Sequence, residues 1–479
     1  MIRRKIRGAA GLLVIAASVT ACAVGPNYRR PHTEVAPVFA GADASLYSSQ
    51  QAQAQFWKQF GDATLDSLVS DALVANDDLR IAVGHLAEAR ALRRQSVYDL
   101  APTVTASASH QTQKIPQVAV GFPYTSSYYD TSLDASWELD LFGRVRRELQ
   151  ATTADLQAEE ANLRDVQVSV IAEVARTYFE LRGEQSRLAV ARRNVVNQQE
   201  ALRLTRAQLD AGRATELDTA RAQAQLSTTL SSIDPLEAAV SSSIHRLGVL
   251  IGREPDALQT LLSSPRDLPS LPGSIAVGDP EELLRRRPDI RIAERQLAAS
   301  SARIGVAIGD LFPKVTFVGS VGFDAAALSG LGTAGSRAYT IGPSISWAAF
   351  NLGRVRAQVA AQRARNYTAL AQYRQTVLRA LEETEDALVT HARTRDELMH
   401  AADAARASAT AAGLARTRYE EGAEDFLAVL DAERTQLQAE DHLAQSRTDA
   451  VTSLVAVYTA LGGSWEGAPF PRYTQAASR

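Results

Sequence analysis

A junction between a strand and a helix occurs twice in the chain, and this repeat constrains the fold more than any other feature. Residues 136–146 read SWELDLFGRVR and residues 346–356 read SWAAFNLGRVR, so the copies lie 210 residues apart. The first residues of each copy resemble a strand with alternating side chains, and the last residues begin a helical pattern. The sequence therefore predicts the same switch from strand to helix in both halves.

Other residues recur at nearly the same spacing. Pro313 follows Pro102 at an offset of 211, whereas Trp347, Gly353, Gly422 and Gly462 follow Trp137, Gly143, Gly212 and Gly252 at an offset of 210. Chance similarity between Ala-rich helices would not align prolines, tryptophans and glycines together. We therefore predict an internal two-fold sequence repeat, with structural repeats at 56–254 and 281–463 and a linker at 255–280.

Each repeat is predicted to contain two strands and one long antiparallel helix pair. The strands are expected at about 103–113, 128–141, 314–324 and 338–349, and the helix pairs at about 144–232 and 354–450. No proline occurs between Arg144 and Pro235, so the first helix would contain roughly 68 residues and extend about 100 Å. Its narrow apolar stripe is typical of coiled-coil packing. Gly212 is expected to end this helix and Thr215 to cap the next.

The N-terminus has the pattern of an exported lipoprotein. A basic segment and a short apolar segment predict a signal peptide at 1–21, followed by Cys22, the only cysteine of the chain. The preceding Val19-Thr20-Ala21 resembles a bacterial lipobox, so Cys22 is expected to carry covalent lipid. Residues 22–55 are Pro-rich and then polar, which predicts a lipidated tether. Residues 464–479 are expected to form a C-terminal tail.

Composition argues against several classes of function. Removal of the signal peptide removes four basic residues and no acids, which leaves 47 basic against 54 acidic residues and disfavours nucleic acid as a partner. The seven histidines show no metal-ligand spacing, and no phosphate-binding glycine loop occurs. We therefore expect neither an enzyme nor a bound metal or cofactor, apart from the lipid on Cys22.

The predicted strands have one apolar and one polar face. In the second strand the polar positions include Asp130, Asp134, Glu138 and Asp140, which predicts an acidic lining if this face borders a pore. A soluble sheet gives the same alternation, but a length of about 11–12 residues suits a tilted membrane strand better. Four strands cannot close a barrel, so closure in a membrane requires several copies. Three copies would give twelve strands, although the sequence alone also permits a dimer or a tetramer.

Essentially the whole mature chain resembles the outer membrane factor family, the TolC-like channels, and specifically the NodT-type lipoprotein branch of efflux-pump channels. The resemblance rests on Cys22 with GPNY at 25–28, WKQFGD at 57–62, LFGRVR at 141–146, LRRRPDIRI at 284–292, LFP at 311–313, NLGRVR at 351–356, and 419–434. It implies a mixed α and β membrane protein in which a trimeric 12-stranded outer-membrane β-barrel, four strands per chain, continues into a periplasmic α-helical barrel.

The resemblance also implies a passive exit duct for small molecules in a tripartite efflux pump of a Gram-negative outer membrane. The implied partners are two further copies, a periplasmic adaptor, an inner-membrane transporter of the resistance-nodulation-division type, and outer-membrane lipid. Gly212 and Gly422 are expected at the periplasmic tips, where the adaptor docks. Leu427 and Asp431 match positions that constrict the tunnel, and Tyr419 and Asp218 are expected to bond across the helix pairs.

Two other functions remain open at this stage. The outer component of a type I protein secretion system would share the fold, but the lipobox and the LRRRPDIR segment favour efflux. A structural periplasmic coiled-coil lipoprotein would explain the long helices, but it would not explain the alternating aromatic strands.

Overall fold

The structure, a computed structural model, describes residues 23–50, 55–115 and 124–463. The predicted signal peptide, the lipidation site Cys22 and the C-terminal tail at 464–479 lie outside these residues. The elements of the first half are β1 Tyr47–Ser48, a 3₁₀ turn at Phe56–Phe60, α1 Ala63–Ala75, α2 Asp77–Tyr98, β2 Thr103–Ile115, β3 Tyr124–Leu139, α3 Arg144–Asp210, α4 Glu216–Ser231, α5 Ile233–Leu250 and α6 Gln259–Leu262. Those of the second half are β4 Ile275–Ala276, α7 Pro280–Arg286, α8 Pro288–Gly309, β5 Lys314–Ala325, β6 Arg337–Ser346, α9 Leu352–Glu420 and α10 Phe426–Ala460.

The described chain forms two compact units, and each takes segments from both halves. The strand unit comprises the described residues up to His32, His85–Glu160 and Arg291–Gln375. The helical unit comprises Thr33–Gly84, Ala161–Ile290 and the described residues from Thr376 onward. No helix within the described residues has a stretch long and apolar enough to cross a membrane.

A four-stranded antiparallel sheet dominates the strand unit, with the order β2-β3-β5-β6. Strands β2 and β3 form one hairpin and β5 and β6 form the other, and the pairing of β3 with β5 joins them. In this register Leu133 lies opposite Val321, and Trp137 lies opposite Phe317. These apolar side chains share one face and are exposed, as is Ile341 on β6. The alternation seen in the sequence therefore places an exposed apolar surface on one face of the sheet and polar side chains on the other.

The two tryptophans close the ends of the hairpins in the same way. The Trp137 indole donates to the Leu100 carbonyl at 2.9 Å, and the Trp347 indole donates to the Leu311 carbonyl at 3.0 Å. Each acceptor lies two residues before the proline that precedes the first strand of its hairpin. Both rings remain partly exposed, so the hydrogen bond fixes each indole at the edge of the sheet rather than in a core.

The return helices differ between the halves. In the sequence, Asp234-Pro235 has the pattern of a helix start, with Asp as the N-cap and Pro as the first helical residue. Instead, α5 already begins at Ile233, and only Ser232 separates it from α4. Proline has no amide hydrogen and cannot donate to the carbonyl four residues earlier, which explains a break near this position. The corresponding α10 contains no proline and continues from Phe426 to Ala460.

Candidate functional site

The two long helices end in turns with the same geometry. Gly212 follows α3 with a φ of 72°, and Gly422 follows α9 with a φ of 77°. At the first turn Arg213 N–H donates to the Gln208 carbonyl at 2.8 Å, and at the second Ala423 N–H donates to the Arg418 carbonyl at 2.8 Å. This pattern is a Schellman motif, which needs a residue with positive φ and so favours glycine. Both predicted tip turns are therefore sharp reversals between antiparallel helices.

The helices that follow the turns begin with side-chain caps. Thr215 accepts from the Asp218 amide through its hydroxyl oxygen, and the Asp218 carboxylate accepts from the Thr215 amide at 2.9 Å. This capping box satisfies amide groups that the start of α4 leaves unpaired. Hydrogen bonds from the Thr215 hydroxyl and amide lower the pKa of Asp218. In the second half, Asp425 accepts from the Ala428 amide at 3.0 Å and caps α10 alone.

A small apolar cluster holds the four helices together near the turns. Its buried members come from α3, α4, α9 and α10: Val195, Leu202, Ala222, Leu226, Tyr419, Phe426 and Val429. The Tyr419 ring is buried, and its hydroxyl donates to the Gln208 side-chain oxygen at 2.7 Å. This bond links the tip of α9 with the tip of α3, 211 positions away. Burial raises the pKa of Tyr419, so the hydroxyl stays protonated and able to donate at neutral pH.

The resemblance implied a bond between Tyr419 and Asp218, whereas each of them has another hydrogen-bond partner in the structure. Asp218 is engaged by Thr215 in the cap of α4, and Tyr419 is engaged by Gln208. The link between the helix pairs thus uses a neutral amide acceptor. Sequence reasoning missed Gln208, because nothing distinguishes its side chain from the many other glutamines of the helices.

The predicted constriction residues lie on the first turns of α10. The Leu427 side chain is half exposed, as expected for a residue without a packing role in its own chain. Asp431 is exposed and accepts from Arg434, three residues on, at 2.7 Å. The adjacent Glu433 is buried and forms an ion pair with Arg416 of α9. The acid at 431 therefore carries a local counter-cation, which weakens the field that it can contribute.

The four acids predicted to line a pore fall into two groups. Asp130 and Asp134 lie on the polar face of β3, where Asp134 accepts from Ser107 at 3.0 Å. Glu138 forms an ion pair with Arg144 at 2.6 Å. Asp140 lies beyond the end of β3 and accepts from the Val145 and Arg146 amides at 3.1 and 2.9 Å. It therefore caps the positive N-terminus of α3, and alternation alone could not separate it from the strand positions.

No group of three or more His, Cys, Asp or Glu side chains among the described residues is placed to hold a metal ion.

His391 is buried, its Nδ1 lies 3.0 Å from the Ser453 hydroxyl, and burial lowers its pKa to about 4. The imidazole is therefore neutral in the packed helices. It has a structural role, like most histidines on the apolar side of a helix.

Comparisons with known proteins agree on one family. The family model described as outer membrane efflux protein matches residues 68–253 and again residues 280–463. The chain is 34% identical over 458 residues to the outer membrane protein OprJ of Pseudomonas aeruginosa, with 95% of each chain covered. It is 32% identical over 464 residues to the solvent efflux pump outer membrane protein SrpC of Pseudomonas putida, covering 93% of this chain and 96% of SrpC.

Solved structures give the same result. The fold superposes on the outer-membrane channel OprN with a TM-score of 0.88 and 46% sequence identity, covering 93% of this chain and all of that one. The Campylobacter jejuni CmeC outer membrane channel has a TM-score of 0.87 at 23% identity, covering 94% of this chain and 96% of CmeC. The fold is thus shared even where the sequence has diverged.

Proposed function

The chain belongs to the outer membrane efflux protein family and is the outer-membrane channel of a tripartite efflux pump, and we propose that it works as a trimer whose helix tips form the gate. Each chain contributes four strands with an exposed apolar face and two unpaired edges, β2 and β6. Unpaired edges are not tolerated in lipid, so the sheet must close with other copies. Three copies give a twelve-stranded barrel that continues into a periplasmic barrel of long helices.

The observation that carries the gate proposal is the hydrogen bond from Tyr419 to Gln208. It joins the tips of α9 and α3 beside the apolar cluster that the four helices share near the turns. While it is intact, the tip of α9 stays against α3 and the tunnel entrance is narrow. Opening requires α9 and α10 to move outward together, because Arg416 ties them to each other through Glu433.

The tips around Gly212 and Gly422 are proposed to receive a periplasmic adaptor, which couples the duct to an inner-membrane transporter of the resistance-nodulation-division type. The cargo is proposed to be small molecules, as in the relatives named for solvent and toluene efflux. Asp431 and Leu427, repeated in three copies, would form an acidic and an apolar ring near the entrance. Cys22 is proposed to carry the lipid that anchors the N-terminus in the outer membrane.

Single-channel conductance in planar bilayers tests the gate. The variant Tyr419→Phe keeps the buried ring and removes only the hydroxyl, so we expect a higher conductance than that of the wild-type channel. Gln208→Leu should have the same effect, because it removes the other partner. Asp218→Ala is expected to act less strongly, since it weakens the cap of α4 and leaves the link intact.

Tyr367→Phe is the matched control, because Tyr367 is an exposed tyrosine of the same helix α9. Its conductance should equal the wild-type value. Equal conductance of Tyr419→Phe and Tyr367→Phe would contradict the gate. Native mass spectrometry of the purified channel tests the trimer independently, and a dimer or tetramer would rule out the twelve-stranded barrel.

A further inference from the structure

The first described residues, from Ala23 onward, are hydrogen-bonded to the junction between β3 and α3. Arg147, in the first turn of α3, donates to the backbone carbonyls of Ala23, Val24 and Gly25 and to the Asn27 side chain, at distances between 2.9 and 3.4 Å. The Val24 amide donates to the Phe142 carbonyl at 3.0 Å. The guanidinium is buried, yet none of these acceptors is a carboxylate. Arg147, which has no carboxylate among these acceptors, thus holds the segment after residue 22 beside the end of the sheet.

A pocket of about 500 Å³ lies next to this segment within the strand unit. Four arginines line it, Arg93 from α2, Arg146 and Arg147 from α3, and Arg295 from α8, and no acidic residue is among its lining residues. The remaining lining is supplied by small or neutral side chains, including Tyr28 and Ala298. Four guanidinium groups with fewer carboxylate partners than charges are costly to bury unless another anion is present.

Neutral acceptors on α3 hold three of the four arginines in place. On α3, Gln150 accepts from Arg147 at 2.9 Å, Thr153 from Arg93 at 3.2 Å and Gln157 from Arg295 at 3.0 Å. These three acceptors recur every three or four residues and therefore share one face of the helix.

Carboxylates neutralise only two of the four cations. Arg146 pairs with Asp140 and Arg295 with Glu294, whereas Arg93 and Arg147 form no ion pair among the described residues. Burial, and after it the neighbouring Arg146, lowers the pKa of Arg147. The charges of Arg93 and Arg147 are therefore not neutralised by a carboxylate. Arg93 donates through Nε to Thr153 and keeps donors for a ligand, whereas most donors of Arg147 are occupied by the chain.

We propose that this pocket binds a phosphate group and that its physiological occupant is the phosphodiester of an anionic phospholipid head group. Guanidinium groups bind phosphate oxygens in pairs of hydrogen bonds, and basic pockets beside membrane-spanning segments recognise lipid head groups. The pocket lies where β3 ends and α3 begins, which the proposed function places at the periplasmic surface of the bilayer. The identification of the occupant as a lipid therefore rests on the proposed function. The expected affinity for phosphate does not depend on it.

Titration of the purified, delipidated full-length channel in detergent tests the proposal. The probes are dioctanoyl-phosphatidylglycerol, inorganic phosphate, and dioctanoylglycerol, which lacks the phosphate. We expect binding of phosphatidylglycerol that weakens with added salt, and no binding of dioctanoylglycerol. Arg93→Gln should weaken the binding of phosphatidylglycerol roughly tenfold, because one charge-assisted hydrogen bond is lost. Arg93→Lys should recover most of the affinity, since it keeps the charge.

Arg94→Gln is the matched control, because the neighbouring Arg94 is exposed and lies outside the pocket. It should bind like the wild type. Weaker binding of inorganic phosphate than of the lipid supports a lipid head group, whereas equal binding supports a site for free phosphate. Wild-type affinity in Arg93→Gln, or binding of dioctanoylglycerol as tight as that of phosphatidylglycerol, overturns the proposal. The gate is tested by conductance and the lipid site by binding, so a negative result for one proposal can be distinguished from a negative result for the other.

Discussion

The final helices of the two repeats, α5 and α10, are held at their C-termini by different chemistry. At the end of α5, the buried Asn76 donates its side-chain amide to the Leu250 carbonyl at 2.9 Å. Its side-chain oxygen accepts from the Leu79 amide at 3.1 Å, so that one neutral side chain also caps α2. Gly252 then turns the chain with a φ of 67°.

At the end of α10, Arg287 occupies the place of Asn76. The backbone at both residues is extended, with φ and ψ of −62° and 133° at Asn76 and of −63° and 124° at Arg287. Arg287 donates to the Ala460 carbonyl at 2.9 Å, and Gly462 turns the chain with a φ of 64°. Its guanidinium also binds the carboxylates of Asp289 and Glu383, at 2.8 and 2.6 Å.

The difference shows that one backbone requirement has been met in two ways. The last carbonyls of a helix lack partners within the helix, and each repeat supplies a donor from the residue before its second helix. The amide brings no charge with it. The guanidinium brings two carboxylates and lies near a third, Asp165 of α3, which makes the end of α10 an electrostatic cluster.

Removal of the two donors gives the largest expected difference between the helix ends. Arg287→Ala should destabilise the protein by about 4 kcal/mol, because it leaves acids around a vacated buried cation site. Asn76→Ala should cost about 2 kcal/mol, since it removes two neutral hydrogen bonds. Denaturant unfolding in detergent, followed by far-ultraviolet circular dichroism, measures both. Equal losses would show that the charges at the end of α10 add nothing.

Substitution of the glycines that follow the two helices should have the opposite order of effects, with the larger loss of stability at the end of α5. A Cβ added at Gly252 would lie 2.4 Å from the Ala75 carbonyl oxygen, which is backbone and cannot move away. At Gly462 it would lie 2.7 Å from Cγ and 3.0 Å from Cα of Arg287, which is a less severe approach. Adding the strain of positive φ, we expect Gly252→Ala to cost about 3 kcal/mol and Gly462→Ala about 2 kcal/mol. The same unfolding experiment tests this, and a larger loss at Gly462 would contradict it.

Only the end of α10 should respond to mild acid. Burial, helped by the nearby Asp289 and Glu383 and opposed by Arg287, raises the pKa of Asp165 to about 6. The folded protein therefore holds this proton more tightly than the unfolded chain, whose Asp pKa is about 3.9. Its stabilisation is complete below pH 4 and is lost as the pH rises through about 6.

The variant Asp165→Asn isolates this effect. It should be more stable than the wild type by about 2 kcal/mol at pH 7, with no difference below pH 4. The measurement is the unfolding free energy of both proteins between pH 4 and pH 7. A constant difference across this range would contradict titration of Asp165.

Much of the fold could be predicted from local sequence, because the patterns that form strands and helices are local. The alternation in β3 and the absence of proline in α3 are visible within a few residues of each other. The pairing of β3 with β5 is not, since it joins hairpins from different repeats. The shared role of Asn76 and Arg287 was also hidden, because the two residues differ in type although Asp78 and Arg80 beside Asn76 recur as Asp289 and Arg291.

The candidate site was partly predictable for the same reason. Gly212 and Gly422 could be placed at turns because positive φ favours one residue type. The partner of Tyr419 could not be identified, since Gln208 lies far away in sequence and its amide has no distinctive pattern. The capping role of Asp140 could not be predicted, because alternation does not report where a strand ends and a helix N-terminus begins.

The smallest expected effect concerns a second donor at the end of α10. The Thr384 hydroxyl lies 3.3 Å from the Ala460 carbonyl oxygen and donates more closely to Ala380, at 2.8 Å. Its counterpart in the first repeat, at an offset of 210, is Val174, so that Thr384→Val makes the two ends more alike. Alone, this change should cost less than about 1 kcal/mol, because Arg287 still satisfies the carbonyl.

In the Arg287→Ala background the same change should cost more, since the Ala460 carbonyl then loses both donors. A double-mutant cycle measures this coupling, which we expect to be about 1 kcal/mol. Strict additivity would mean that the Thr384 hydroxyl serves only its own helix through Ala380. The end of α10 would then depend on Arg287 alone, as the end of α5 depends on Asn76.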